Sequence, residues 1–121
     1  DTKKIIYFYN NSKILDLSFN DCEAFRIFCL KNNFDLIKWS LEVKKDIDIF
    51  CSNNFCFYQI CKNGDFEIFV WLFIKYCNFE TFEYPYIILK KSFEGENLQL
   101  VKYIYFIYSD KFNKKEIILE L

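Results

Sequence analysis

Residues 24–39 read AFRIFCLKNNFDLIKW and residues 56–71 read CFYQICKNGDFEIFVW, and a shift of 32 positions lays one stretch on the other. Phe25 falls on Phe57, Cys29 on Cys61, Phe34 on Phe66 and Trp39 on Trp71. The chain holds only two tryptophans, and they coincide. Conservative pairs fill the intervals: Asp35 with Glu67, Leu36 with Ile68, Leu41 with Phe73. A second shift brings Leu100-Val101-Lys102-Tyr103 under Leu36-Ile37-Lys38-Trp39. In the other direction Ile47-Asp48-Ile49 meets Leu15-Asp16-Leu17, and Ile37-Lys38-Trp39 meets Ile5-Ile6-Tyr7. A register held without insertion marks an internal repeat. The units fall at residues 1–19 (partial), 20–52, 53–83, 84–112 and 113–121 (partial).

Local signals agree with a pair of helices in each unit. Asn20 and Asp21 are placed to cap a first helix, as are Asn53 and Asn54 one unit on. Pro85 stands near the start of the third, where its fixed φ and missing N–H are tolerated. Polar breaks end each first helix: Lys31-Asn32-Asn33, Lys62-Asn63-Gly64-Asp65 and Glu94-Gly95-Glu96-Asn97. A second helix follows, with Phe34, Ile37 and Leu41 on one stripe and Phe66, Phe69 and Phe73 on its counterpart. The alternating Asp46-Ile47-Asp48-Ile49 then predicts an extended connector. The fold class expected is all-α. Residues 3–10 would be the second helix of an incomplete unit and 113–121 the beginning of another.

Composition narrows the functions. A hydrophobic share of 53% over 121 residues is enough for a packed core and too much for a disordered tail. The net charge of −1, with basic and acidic residues interspersed, argues against a nucleic-acid partner. The most hydrophobic uncharged run, Ile68–Ile74, is far short of the roughly 20 residues a membrane span needs, so no membrane is expected. No signal-peptide pattern opens the chain, and the lack of any Met points to an excerpt of a longer protein. On that view Ile5, Ile6, Ile117, Ile118 and Leu119 are uncovered apolar ends, which predicts poor solubility in isolation.

Six cysteines without a C-x-x-C pair and without histidine make no recognisable zinc site. They are expected as reduced, mostly buried thiols, in an intracellular and cytoplasmic setting. Catalysis lacks its usual base, histidine. Asp46 and Asp48 resemble a carboxylate pair, but the Asp48 position recurs as Asp16 and Glu80. A feature that repeats with the unit belongs to the scaffold, since an active site need occur once. Gly64 alone is a turn and not a phosphate loop. The aromatic positions Tyr7, Trp39, Trp71 and Tyr103 could form a base-stacking ladder but are read as packing between second helices. No enzyme, cofactor, metal or small-molecule substrate is therefore expected.

Helix, tight turn, helix and connector at this period resemble the ankyrin repeat. The segments AFRIFC, NNFDLIKWSLE and KKDIDI are similar to the ankyrin variant abundant in giant DNA viruses, across residues 20–76 and more loosely over 3–19 and 84–108. Asn32 and Glu96 stand where that pattern has the glycine that Gly64 retains, and Lys45 stands where it has proline. The resemblance implies a solenoid that binds a partner protein through a concave face of first helices and connector tips, in the host cytoplasm if the source is viral. Positions on that face that vary between units are the candidate contacts: Arg26, Tyr58 with Lys90, and Ile27 with Gln59 and Lys91, together with Lys62. Lys45, Asp46, Ser52, Asn53 and Asn54 lie at the connector tips. The alternative is a structural spacer or virion component with no specific ligand.

Overall fold

Short polar side chains set where the helices start. Asn33, Asp65 and Asn97 each hold an extended backbone (φ −89°, −89° and −93°) and each accepts a backbone N–H of the helix that follows. The acceptances are from Leu36 at 3.1 Å, Ile68 at 2.9 Å and Leu100 at 3.2 Å, all three residues downstream of the cap. Asn97 takes the Gln99 N–H as well, at 2.9 Å. An oxygen on a short stem satisfies donors that have no partner inside the helix. The residue before each cap is left-handed: Asn32 at φ 56°, Gly64 at 71° and Glu96 at 60°. That conformation closes the preceding helix. In the first case Asn33 N–H reaches Phe28 C=O at 3.0 Å and Asn32 N–H reaches Cys29 C=O at 3.1 Å, the Schellman pattern.

The computed structural model describes residues 2–12, 16–78, 80–82 and 85–111. Among the described residues the chain is all-helical, with seven α-helices and no strand. They are α1 (Thr2–Asn11), α2 (Phe19–Leu30), α3 (Phe34–Val43), α4 (Cys51–Asn63), α5 (Phe66–Tyr76), α6 (Pro85–Glu94) and α7 (Leu98–Ile107), followed by a 3₁₀ turn at Ser109–Lys111. Helix α1 covers the expected second helix at 3–10. Leu15, the expected further unit at 113–121 and its Ile117, Ile118 and Leu119 lie outside the described residues. No described helix is long and apolar enough to cross a membrane.

Two expectations are corrected. Asn20 and Asp21 do not cap α2, nor do Asn53 and Asn54 cap α4. Asn20, Asp21 and Cys22 are left-handed (φ 54–56°), and so are Ser52, Asn53 and Asn54 (φ 53–66°). The short polar side chains that suit a cap also make Asn and Asp the non-glycine residues most tolerant of this conformation. The connector from Lys44 to Phe50 is coil and turns, not an extended strand. Its alternation is nevertheless real, since Ile47 and Ile49 are buried and Asp48 is exposed. Asp48 accepts Phe50 N–H at 2.9 Å, and Asp16, one unit earlier, accepts Ser18 N–H at 2.9 Å and Ser18 Oγ–H at 2.8 Å. The recurring acid is thus a turn former.

The chain divides into two compact units, residues 1–56 and 57–121, the division falling inside α4. Each builds a core from the same repeat positions. In the first, Phe25, Cys29 and Ile37 are fully buried, with Leu36 and Leu41 nearly so. In the second, Phe57, Cys61, Phe69 and Ile68 take the positions of Phe25, Cys29, Ile37 and Leu36 with equal burial, and Phe73, in the place of Leu41, is buried too. Each such aliphatic or aromatic side chain contributes about 1.5–3 kcal/mol relative to exposure. Ser40 sits where the other second helices carry Leu72 and Ile104, and its hydroxyl is satisfied by donating to Ile37 C=O at 2.9 Å.

Contacts between successive repeats appear within each unit. In the first, Asn33 Nδ2 donates to Thr2 Oγ1 at 3.1 Å, and the Tyr9 and Trp39 rings meet edge-on at 5.1 Å. In the second, Asn97 Nδ2 donates to Gly64 C=O and Phe66 meets Tyr103 edge-on at 5.6 Å. The backbones come closest at Gly95, where a Cβ would stand 2.5 Å from the Cys61 carbonyl oxygen and 2.7 Å from that of Lys62. A Cβ on Gly64 would lie 2.7 Å from the Gly95 oxygen.

Opposite effects are therefore expected at two equivalent turns. Gly64→Ala should destabilise by more than about 1 kcal/mol, because the methyl meets both a left-handed φ and the Gly95 carbonyl. Glu96→Gly should stabilise by up to about 1 kcal/mol by removing the strain alone. Urea unfolding followed by circular dichroism measures both, and equal shifts of one sign would refute the assignment. Asn97→Ala should cost about 1 kcal/mol in the same assay, with Asn97→Ser retaining most of that stability.

Candidate functional site

The residues singled out from the sequence divide by what their side chains already hold. In the first unit Arg26 turns back along α2. Its Nε donates to Asp21 C=O at 3.0 Å and its Nη2 to Asn20 C=O at 2.8 Å. A planar guanidinium supplies such a fork, and here it fastens two carbonyls of the left-handed turn. Asp21 in turn accepts the Ser52 hydroxyl at 2.6 Å, joining the two left-handed segments. Arg26 is thus occupied by backbone. Ile27 beside it is 42% exposed. Asn53 is exposed and Asn54 half-buried on the second left-handed turn, and Lys45 and Asp46 are exposed on the connector, where Lys44 pairs with Asp46 at 3.4 Å.

In the second unit Tyr58 and Gln59 are half-buried along α4, with Gln59 Nε2 donating to Asn63 Oδ1 at 3.0 Å. Lys62 and Lys91 converge on one carboxylate, each 3.9 Å from Glu94 Oε2. These pairs are solvated and contribute little to stability. They do hold two cations together on the first-helix side of α4 and α6.

All six cysteines are thiols; Cys22, Cys29, Cys51, Cys56 and Cys61 are buried and Cys77 is half-exposed. Burial pushes Cys51, Cys61 and Cys77 up to about 12. A hydrogen bond with Cys29, followed by burial, also raises Cys56. Thiols so shifted are mostly protonated near neutrality and are weak nucleophiles. Among the described residues no group of three or more His, Cys, Asp or Glu side chains is arranged to hold a metal ion. Asp16 is held below the usual carboxylate value by the Ser18 hydroxyl and then the Ser18 amide. Its turn therefore keeps the charged acceptor until pH falls through that lowered value.

One surface was not anticipated. Phe66, Glu67, Val70, Trp71, Ile74 and Lys75 line a shallow apolar groove of about 690 Å³ along α5. Lys75 Nζ lies 4.9 Å over the Trp71 ring. The signal was present in the sequence, since α5 is apolar on nearly all sides and its core face is taken by Ile68, Phe69, Leu72 and Phe73. The apolar residues left over must face elsewhere. Comparison with protein-family models, with curated proteins and with solved structures finds no match to this chain.

Neighbouring substitutions on α2 separate scaffold from surface. Arg26→Ala should lower stability by about 1 kcal/mol through the loss of two charge-assisted bonds. Ile27→Ala should stay within about 0.5 kcal/mol. Thermal unfolding of the two variants decides the point, and an unaltered melting curve for Arg26→Ala would show that the fork carries no weight.

Proposed function

We propose that the chain is a stretch of ankyrin-type repeats, in the form of a solenoid, that binds another protein and catalyses no reaction. The observation that carries this reading is the contrast between a repeated skeleton and a varied exterior. Caps at Asn33, Asp65 and Asn97 and left-handed turns at Asn32, Gly64 and Glu96 recur at the same interval. The buried positions of the helices recur with them. On the first helices, by contrast, the positions holding Ile27, Gln59 and Lys91 differ in size, polarity and charge. A scaffold that keeps its geometry while changing its surface suits recognition of a partner.

In this reading Ile27, Lys45, Asp46, Asn53 and Asn54 are contact residues of the first unit, and Tyr58, Gln59, Lys62 and Lys91 of the second. Arg26 contributes by holding the turn beneath the tip residues. The mixed aromatic, amide and cationic character of Tyr58, Gln59 and Lys62 suits a protein surface better than a phosphate backbone or a lipid. The resemblance to ankyrin variants of giant DNA viruses supports a recruiting role toward a host protein.

Affinity capture with the chain, against a Tyr58→Ala, Gln59→Ala, Lys62→Ala variant, tests the proposal. The variant should lose a defined partner, with affinity falling roughly 30-fold or more if one side chain among the three is a hot spot, while its helicity is unchanged. Identical captured proteins from both forms would favour a spacer without a specific ligand.

A further inference from the structure

Cys51 and Cys56 bring their Sγ atoms to 4.0 Å inside the first unit. In a regular α-helix, five residues advance about 7.5 Å and turn the second side chain about 140° from the first, which holds such a pair apart. The left-handed run Ser52, Asn53 and Asn54 lies between them and removes that separation. A disulfide requires about 2.05 Å, so the sulfurs need to close by about 2 Å. Both side chains are buried, at 3% and 1% exposure, beside two further thiols: Cys29 hydrogen-bonds Cys56 and Cys22 faces Cys51. The other groups that face the pair are Asp21 toward Cys51 and Arg26 toward Cys56. The cluster is not arranged as a metal site. With their sulfurs 4.0 Å apart across the turn, Cys51 and Cys56 have the composition and approach of a dithiol.

We propose that Cys51 and Cys56 form an oxidisable dithiol, a modification site that a small-molecule disulfide converts to an intrachain Cys51–Cys56 bond. Cys51 adjoins the exposed Ser52 and Asn53 and reacts first. Its thiolate attacks one sulfur of the incoming disulfide and expels the other as a thiolate. The Cys56 thiolate then attacks Cys51 Sγ and expels the second. Two protein thiols lose two protons and two electrons, and one small disulfide becomes two thiols. The bond closes a loop around the left-handed turn and fixes it, together with the Ser52 hydroxyl on Asp21.

Access requires the turn to open, and burial keeps both thiols protonated near neutrality. The reaction is therefore slow at pH 7, and it should quicken about tenfold per pH unit up to pH 9 as the thiolate fraction grows.

The test is incubation of the whole chain with oxidised glutathione under native conditions, alkylation of the remaining thiols, digestion without reductant and mass mapping. The expected product is a chain lighter by two hydrogens with Cys51 joined to Cys56. It should persist in Cys77→Ser and be lost in Cys51→Ser and Cys56→Ser, whose helicity is checked by circular dichroism. Because the map is made on the unsubstituted chain, the result stands even if a variant fails to fold. Recovery of both Cys51 and Cys56 as alkylated thiols, or a bond from Cys56 to Cys29 instead, would overturn the proposal.

Discussion

A side-chain oxygen that takes a backbone N–H in the first turn of a helix is the interaction on which the rest of this structure depends. Asn33, Asp65 and Asn97 make it, and each follows a left-handed residue that has just ended the helix before. The two features together reverse the chain in very few residues, so that the paired helices face each other along apolar stripes. Helices of ten to thirteen residues are marginal alone in water, and their stability comes from that packing. With the reversal held in place, Phe25 and Ile37, or Phe57 and Phe69, have a defined partner face. Asn97 and Asn33 extend the same chemistry by turning their amide nitrogens toward the preceding repeat, to the Gly64 carbonyl and the Thr2 hydroxyl at the start of α1.

The left-handed segments show how such a scaffold accommodates strain. Six non-glycine residues in two runs adopt a conformation that costs roughly 1–2 kcal/mol per residue. Compensation is visible around the first run, where Arg26 binds two carbonyls and Asp21 takes the Ser52 hydroxyl. Burial of Cys22, Cys51 and Cys56 adds to it. The polar exterior and the thiol-lined interior of this region are therefore two sides of one turn, and a change on either side is felt on the other.

Function, on the reading favoured here, lies in what the repeat leaves unspecified. The buried positions are constrained by volume, since interiors are close-packed and respond to single methylene changes. The partly exposed first-helix positions are less constrained, and they hold isoleucine, glutamine and lysine in turn. Lys62 and Lys91, meeting at Glu94, add a small cationic feature whose position depends on the packing of α4 against α6 through Gly95.

Much of the fold was legible in the sequence because its causes are local. The 32-residue register, the second helices at Phe34, Phe66 and Leu98, the turn at Gly64 and the structural nature of the Asp16 and Asp48 positions all follow from side chains acting on backbone within a few residues. Asn20, Asp21, Asn53 and Asn54 were misread as caps because capping and left-handed backbone draw on the same short polar side chains. Which one wins depends on contacts made elsewhere. Arg26 turned onto the backbone, the approach at Gly95 and the Cys51–Cys56 pair were decided by tertiary structure alone. Each depends on how close the folded backbone brings groups that local pattern keeps apart, and periodicity carries no measure of that distance.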